Sequence, residues 1–155
     1  MAIAINGKIP VELAKPNASL VAGTPEGTLL QTHTDGTSTF GTVLNQIDGI
    51  LVAEIVDAAT AKDRLYIFND IDYSGYVQAG DYIVVARQFD GLTMNGVALE
   101  PPASDIPKGD TLILGTNGRL KDRPGGDTTS ATVAIALEPI LTGATKTGTI
   151  HFRAR

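Results

Sequence analysis

Ile106-Pro107-Lys108-Gly109-Asp110-Thr111-Leu112-Ile113-Leu114, with Thr132-Val133-Ala134-Ile135-Ala136-Leu137 and the closing Thr149-Ile150-His151-Phe152-Arg153, is the stretch that decides the fold. Pro107 to Asp110 reads as a turn and Thr111 to Leu114 as a short strand. Asn117-Gly118 is a second turn, and a glycine-rich loop, Arg123 to Ser130, leads to the next strand. In that strand Val133, Ile135 and Leu137 fall on one face, because strand side chains alternate with period two. The opposite face carries only Thr132, Ala134 and Ala136. After a turn around Gly143, Ile150 and Phe152 point one way and Thr149, His151 and Arg153 the other. Strands this short need a sheet, so the rest of the chain is expected to supply partners.

Working outward, the remaining chain has the same character. Its 155 residues fit one domain, or one domain with an arm. A hydrophobic content of 43% supports a core, but only 5% is aromatic, so that core is expected to be aliphatic. The 17 glycines and 8 prolines fit many turns between many short strands. Thr28 to Thr34, Arg64 to Asn69 and Asp81 to Arg87 read as strands, and Met94 to Leu99 as a further one. Ile50 to Val56 reads as a buried strand, with a short helix through Asp57-Ala58-Ala59-Thr60-Ala61 as the alternative. Asp35 to Thr39 reads as a polar loop and Asp48-Gly49 as a turn. The expected fold is mainly β, a compact sandwich or barrel of short antiparallel strands over residues 20–155.

Residues 1–19 read as an extended N-terminal arm. Ile3, Ile5, Ile9, Val11 and Leu13 alternate with other residues, and Gly7, Pro10 and Pro16 oppose a long helix. Such a segment either adds a strand to its own domain or lies on a neighbour. A faint internal echo pairs Gly80 to Val84 with Gly109 to Ile113, and Val97 to Pro101 with Ile135 to Pro139. Similar turn chemistry used twice accounts for it better than a solenoid, which needs a fixed period and at least three copies.

Charge and composition narrow the functions. Residues 1–106 hold five basic and thirteen acidic residues, a balance of −8, and residues 107–155 hold seven and four, a balance of +3. The acidic body opposes bulk nucleic-acid binding. It permits head-to-tail complementarity between copies. With no cysteine, disulfides, thiolate metal sites and cysteine nucleophiles are excluded. Met1 to Ile5 runs straight into Asn6-Gly7-Lys8, unlike a signal peptide. No apolar run reaches the roughly 18 residues of a membrane span. Asn17-Ala18-Ser19 fits a glycosylation sequon without other signs of secretion.

Groups for chemistry are few. His33 and His151 are the two histidines, each isolated in sequence from other catalytic types. A nucleophile elbow, a P-loop and a dinucleotide fingerprint are all lacking. No catalytic residue and no cofactor is expected, and the protein is read as a non-enzyme. One metal question stays open. Asp70 to Asp81 places oxygen ligands at positions 1, 3, 5 and 12 of a calcium loop, with Gly75 at the sharp turn. Its flanks look like strands, and position 12 is Asp81 where Glu is usual, so a hairpin with polar tips is the plainer reading. Tyr73, Tyr76 and Phe89 offer rigid contact area to a protein or a glycan.

Two regions carry a family resemblance. Lys108-Gly109-Asp110 through Gly118-Arg119-Leu120, Val133 to Glu138 and Thr147 to Ile150 resemble the strand–turn–strand signature of the head decoration, or cement, proteins of tailed phages. Asp48 to Ala53, Asp57 to Thr60 and Leu65 to Phe68 are similar to the central segment of lambda-type decoration proteins. The resemblance covers roughly half the chain and rests on glycines, alanines and alternating apolar residues. It implies a small β fold, usually a homotrimer, on the outer surface of the capsid, clamping neighbouring major capsid subunits. It also implies that an arm such as Ala2 to Leu13 reaches the shell. Another virion component, such as a tail or head-completion protein, and a calcium- or carbohydrate-binding β module are the alternatives.

Overall fold

The computed structural model describes residues 3–4, 10–56, 65–68, 71–74, 77–78 and 82–154. The fold is almost entirely β. In chain order the strands are β1 (Ile3–Ala4), β2 (Val11–Ala14), β3 (Leu29–Thr32), β4 (Ser38–Phe40), β5 (Ile47–Leu51), β6 (Ile55–Val56), β7 (Leu65–Phe68) and β8 (Ile71–Ser74). They continue as β9 (Val77–Gln78), β10 (Ile83–Ala86), β11 (Thr93–Asn95), β12 (Thr111–Leu114), β13 (Leu120–Asp122), β14 (Ala134–Ala136) and β15 (Ile150–Phe152). One turn of 3-10 helix, Leu44–Gln46, precedes β5.

Two antiparallel sheets hold most of the chain. One has the order β2-β10-β5-β3-β4 and the other β1-β11-β15-β14-β12-β13. The first curls until its two edge strands meet, and the second until β13 meets the segment that follows β11. In the first, the Ser38 N–H on β4 donates to the Lys15 carbonyl (2.8 Å), and the Asn17 N–H donates to the Ser38 carbonyl (2.7 Å). In the second, the Leu120 N–H donates to Ala98 (2.9 Å) and the Glu100 N–H to Leu120 (2.8 Å). Each seam is a short parallel bridge that satisfies edge groups otherwise open to pairing. The sandwich-or-barrel expectation is met in this form.

The cores follow from strand parity. Leu30, Leu51, Ile55, Ile83 and Val85 fill the first sheet's interior with Leu20. The larger core lies in the second sheet around Leu112, Leu120, Ile150 and Phe152, and takes in Leu29, Ile47 and Ile50 from the first. Phe89 meets Phe152 edge-to-face with ring centres 4.9 Å apart. The two sheets also touch through backbone, where the Leu29 N–H donates to Gly118 (2.7 Å) and the Ala98 N–H to Gly27 (3.0 Å). Both glycines have positive φ, 83° and 67° for Gly27 and Gly118, and a Cβ on either would strike the facing strand's backbone.

Several expectations change. The Asp35 to Thr39 loop is only a tight turn, and Ser38 and Thr39 belong to β4, with Ser38 buried. Asp48-Gly49 is not a turn but lies inside β5, where Gly49 leaves room for the Val85 and Arg87 side chains. The Ile50 to Val56 run is broken, because the chain leaves β5 after Leu51 and resumes at β6. Its helical alternative, 57–61, lies outside the described residues. In β14 the alternation is as read, but Ala134 and Ala136 face the core and Leu137 is exposed. Register explains this: Ala134 pairs with Phe152 and Ala136 with Ile150, whose bulk already fills the space. Val11–Ala14 adds a strand to its own domain, pairing with Ile83–Ala86 of β10. Ile3–Ala4 pairs with β11, and residues 5–9 lie outside the described residues.

Candidate interaction surface

The side chains singled out in the sequence do not converge. His33 is exposed at the β3–β4 turn, with its Nδ1 3.2 Å from Asp35. His151 is on the other sheet, where its Nδ1 lies 3.2 Å from the Thr93 hydroxyl. Among the described residues, no three His, Asp or Glu side chains gather where a metal ion could sit. Ile71–Ser74 forms the second strand of a hairpin with Leu65–Phe68, which places Asp72 and Ser74 in a paired strand. Asp70, Gly75, Tyr76 and Asp81, on which the calcium and tyrosine readings depend, lie outside the described residues. The Asn17 side chain donates to the Thr37 hydroxyl (3.2 Å) and accepts from the Ser19 N–H (3.1 Å), giving it a local structural role. Among the described residues no helix is long and apolar enough to cross a membrane.

Carboxylates are used to pin turns. Asp35, Glu100, Asp105 and Asp127 each accept from both the N–H and the hydroxyl of one threonine: Thr37, Thr116, Thr142 and Thr129 respectively. The Thr37 hydroxyl and N–H hold the Asp35 carboxyl down to about 2. Asp105 is lowered by the Thr142 hydroxyl and N–H, and Asp127 by the Ser130 hydroxyl and N–H together with Thr129. Burial alone would raise Glu100, but the Thr116 donors outweigh it and leave the group below its ordinary value. Asp122 is the exception, raised chiefly by burial.

Among the described residues, two surfaces stand out for recognition. The first is the outer face of β2, with Tyr82 just before β10. Ala14 and Glu12 share the inward side of β2, with Ala14 packed on the core, so Val11 and Leu13 point outward. They are 56% and 68% exposed, and Tyr82, two residues before Val84 on the facing strand, is 63% exposed. Leu13 lies opposite Val84 and Val11 opposite Ala86, and because Val84 and Ala86 are buried the exposed apolar area is that of β2 with Tyr82 beside it. Arg87 holds this edge in place, with Nε 2.7 Å from Glu12 and an Nη 2.6 Å from Asp48.

The second surface is a groove of about 630 Å³ at the junction of the two sheets. Leu44, Phe89, Val133 and Ile135 supply apolar lining, and Asp90, His151 and Arg153 supply its charged and titratable groups, with Ala131 and Thr132 beside them. The sequence offered no local signal for it, since its walls come from four separate parts of the chain.

Against known proteins, no family model matches this chain, and no curated protein matches it in sequence.

Proposed function

We propose that the protein is a structural virion component, a decoration protein that binds the outer surface of a tailed-phage head and cements neighbouring major capsid subunits. The sequence resemblance supports this reading. The structural observation that carries it is the outward face of β2, where Val11 and Leu13, with Tyr82 just before β10, offer apolar area on a strand held firmly in its own sheet. Adjoining exposed apolar residues are suited to a protein contact. A cement protein works by contact alone: binding the assembled shell but not its separated parts stabilises the shell by mass action. Repetition over many equivalent sites multiplies a modest affinity. In this reading the protein is a homotrimer, its partner is the major capsid protein, and no catalytic step or cofactor is involved.

The test is binding to expanded heads stripped of their decoration. Val11→Asp/Leu13→Asp replaces two exposed side chains and leaves the core untouched. The wild type is expected to co-sediment with the heads and the double variant to stay in solution. Equal binding by both, with the variant folded, refutes the role assigned to this face.

A further inference from the structure

We propose that residues 124–132 form a strap along one side of the groove, that Arg123 is its latch, and that the strap opens while both sheets stay folded. The ends of the segment are fixed. Leu112 of β12 pairs with Asp122 of β13 on one side and with Ala134 of β14 on the other, so the chain crosses from one neighbour of β12 to the other. Val133 anchors the far end: its N–H donates to the Leu112 carbonyl (2.8 Å), and its carbonyl accepts from the Arg153 N–H (3.0 Å).

Between those anchors, among the described residues, no main-chain hydrogen bond joins 124–132 to either sheet, and none of its residues is buried. Its turn is built from its own groups. The Asp127 N–H donates to the Pro124 carbonyl (3.0 Å), and the Asp127 carboxylate accepts from the Thr129 (2.9 Å) and Ser130 (3.0 Å) N–H groups. One side chain ties this turn down. Arg123 Nη2 donates to the Ser130 carbonyl (2.6 Å) and the Thr132 hydroxyl (2.8 Å), and Nη1 reaches the Asp127 carbonyl at 3.5 Å. A segment with no buried apolar anchor and a single polar fastening belongs to the least stable part of a fold.

The latch is itself imperfect. Arg123 Nε is buried without a hydrogen-bond partner among the described residues. A buried donor left unpaired carries a desolvation cost that release to water removes, so the closed form gains less from the guanidinium than its bonds suggest. All three acceptors are neutral groups, so none of these bonds is an ion pair. Release acts directly on the groove. Ala131 and Thr132, the last residues of the strap, line it beside Val133 and Ile135. Freeing them widens one wall without breaking a bond between strands. The strap thereby gives the groove a closed and an open form. This inference is independent of whether the protein binds a capsid.

The experiment is amide hydrogen exchange by NMR on the full chain, wild type against Arg123→Gln. The Asp127, Thr129 and Ser130 amides, bonded inside the strap, report its opening, and the Val133 amide reports the sheet. In the wild type the three are expected to exchange faster than Val133. Arg123→Gln is expected to speed them about tenfold and to leave Val133 unchanged. It is also expected to move the methyl resonances of Val133 and Ile135 while those of Leu30 and Leu51 stay in place. Strap amides that exchange at the Val133 rate in the wild type, or that Arg123→Gln does not speed, overturn the proposal. So does a variant that speeds Val133 equally, because the strap would then open only with the sheet. Unmoved Val133 and Ile135 methyls overturn the link to the groove. Arg123→Met keeps an apolar stem and removes the latch and the orphan nitrogen together. It is expected to match Arg123→Gln in the strap, and wild-type protection there overturns the role given to Arg123.

Discussion

Gly27 and Gly118 show how much one hydrogen atom can decide. Both adopt a left-handed backbone, and both lie where the two sheets exchange main-chain hydrogen bonds. Alanine at either position meets strain and a backbone collision together. Gly118→Ala is expected to cost about 2–4 kcal/mol in urea denaturation. Gly143→Ala, at positive φ but in open space, is expected to cost about 1 kcal/mol. The pinned carboxylates give a pH signature. Asp35, Asp105, Asp127 and Glu100 have folded pKa values below their ordinary ones, so their contribution is present above the unfolded values and is lost as pH falls through the folded ones. The melting temperature is therefore expected to drop below about pH 4. Asp122 runs the other way: its raised value means that folding favours the protonated form, a preference lost as pH rises. Asp122→Asn is expected to raise the melting temperature at pH 7 while changing it little in acid. Of these positions the sequence showed the Asn117-Gly118 turn, but not the neighbour that makes its glycine necessary.

At the scale of elements, β10, β12 and β15 were legible because β-branched residues alternate or run together between turn residues. β13 has no signal in the sequence, and the polar residues of β4 resemble a loop. Leu120-Lys121-Asp122 and Ser38-Thr39-Phe40 have no strong periodicity, and only pairing with β12 and β3 makes them strands. β14 was located, but its buried face was not evident, since volume supplied by Phe152 and Ile150 on the next strand settles that. The internal echo has a structural counterpart. Glu100 accepts from Thr116, which follows Gly115, and Glu138 accepts from Thr149, which follows Gly148. In both, the glutamate side chain occupies the space that a Cβ on that glycine would need. The same local device is thus used twice, at different spacings. Arg87 is the element-scale clamp, tying β2 to β10 through Glu12 and to β5 through Asp48. Arg87→Ala is expected to cost about 1–2 kcal/mol and to speed amide exchange in Val11–Ala14 more than in β12 or β14.

At the scale of the molecule, two curled sheets share one large core, and Lys146 reaches Glu26 at 2.5 Å to link them. The mainly β class was legible from composition and turns. The groove was not, because Leu44, Phe89, Ile135 and Arg153 are brought together only by the packing of one sheet on the other. The arm was legible in part: the alternation of Val11 and Leu13 indicated a strand, while its place in the chain's own sheet depended on β10. Removing residues 1–15 would therefore strip an edge strand as well as a contact surface, and point substitutions at Val11 and Leu13 separate the two effects. The most direct measurement of the decoration reading is co-sedimentation of the wild-type protein with expanded heads lacking their decoration, titrated to saturation. The account predicts saturation at a fixed ratio to the major capsid protein, lost on Val11→Asp/Leu13→Asp. A protein that stays in solution at every concentration would contradict it.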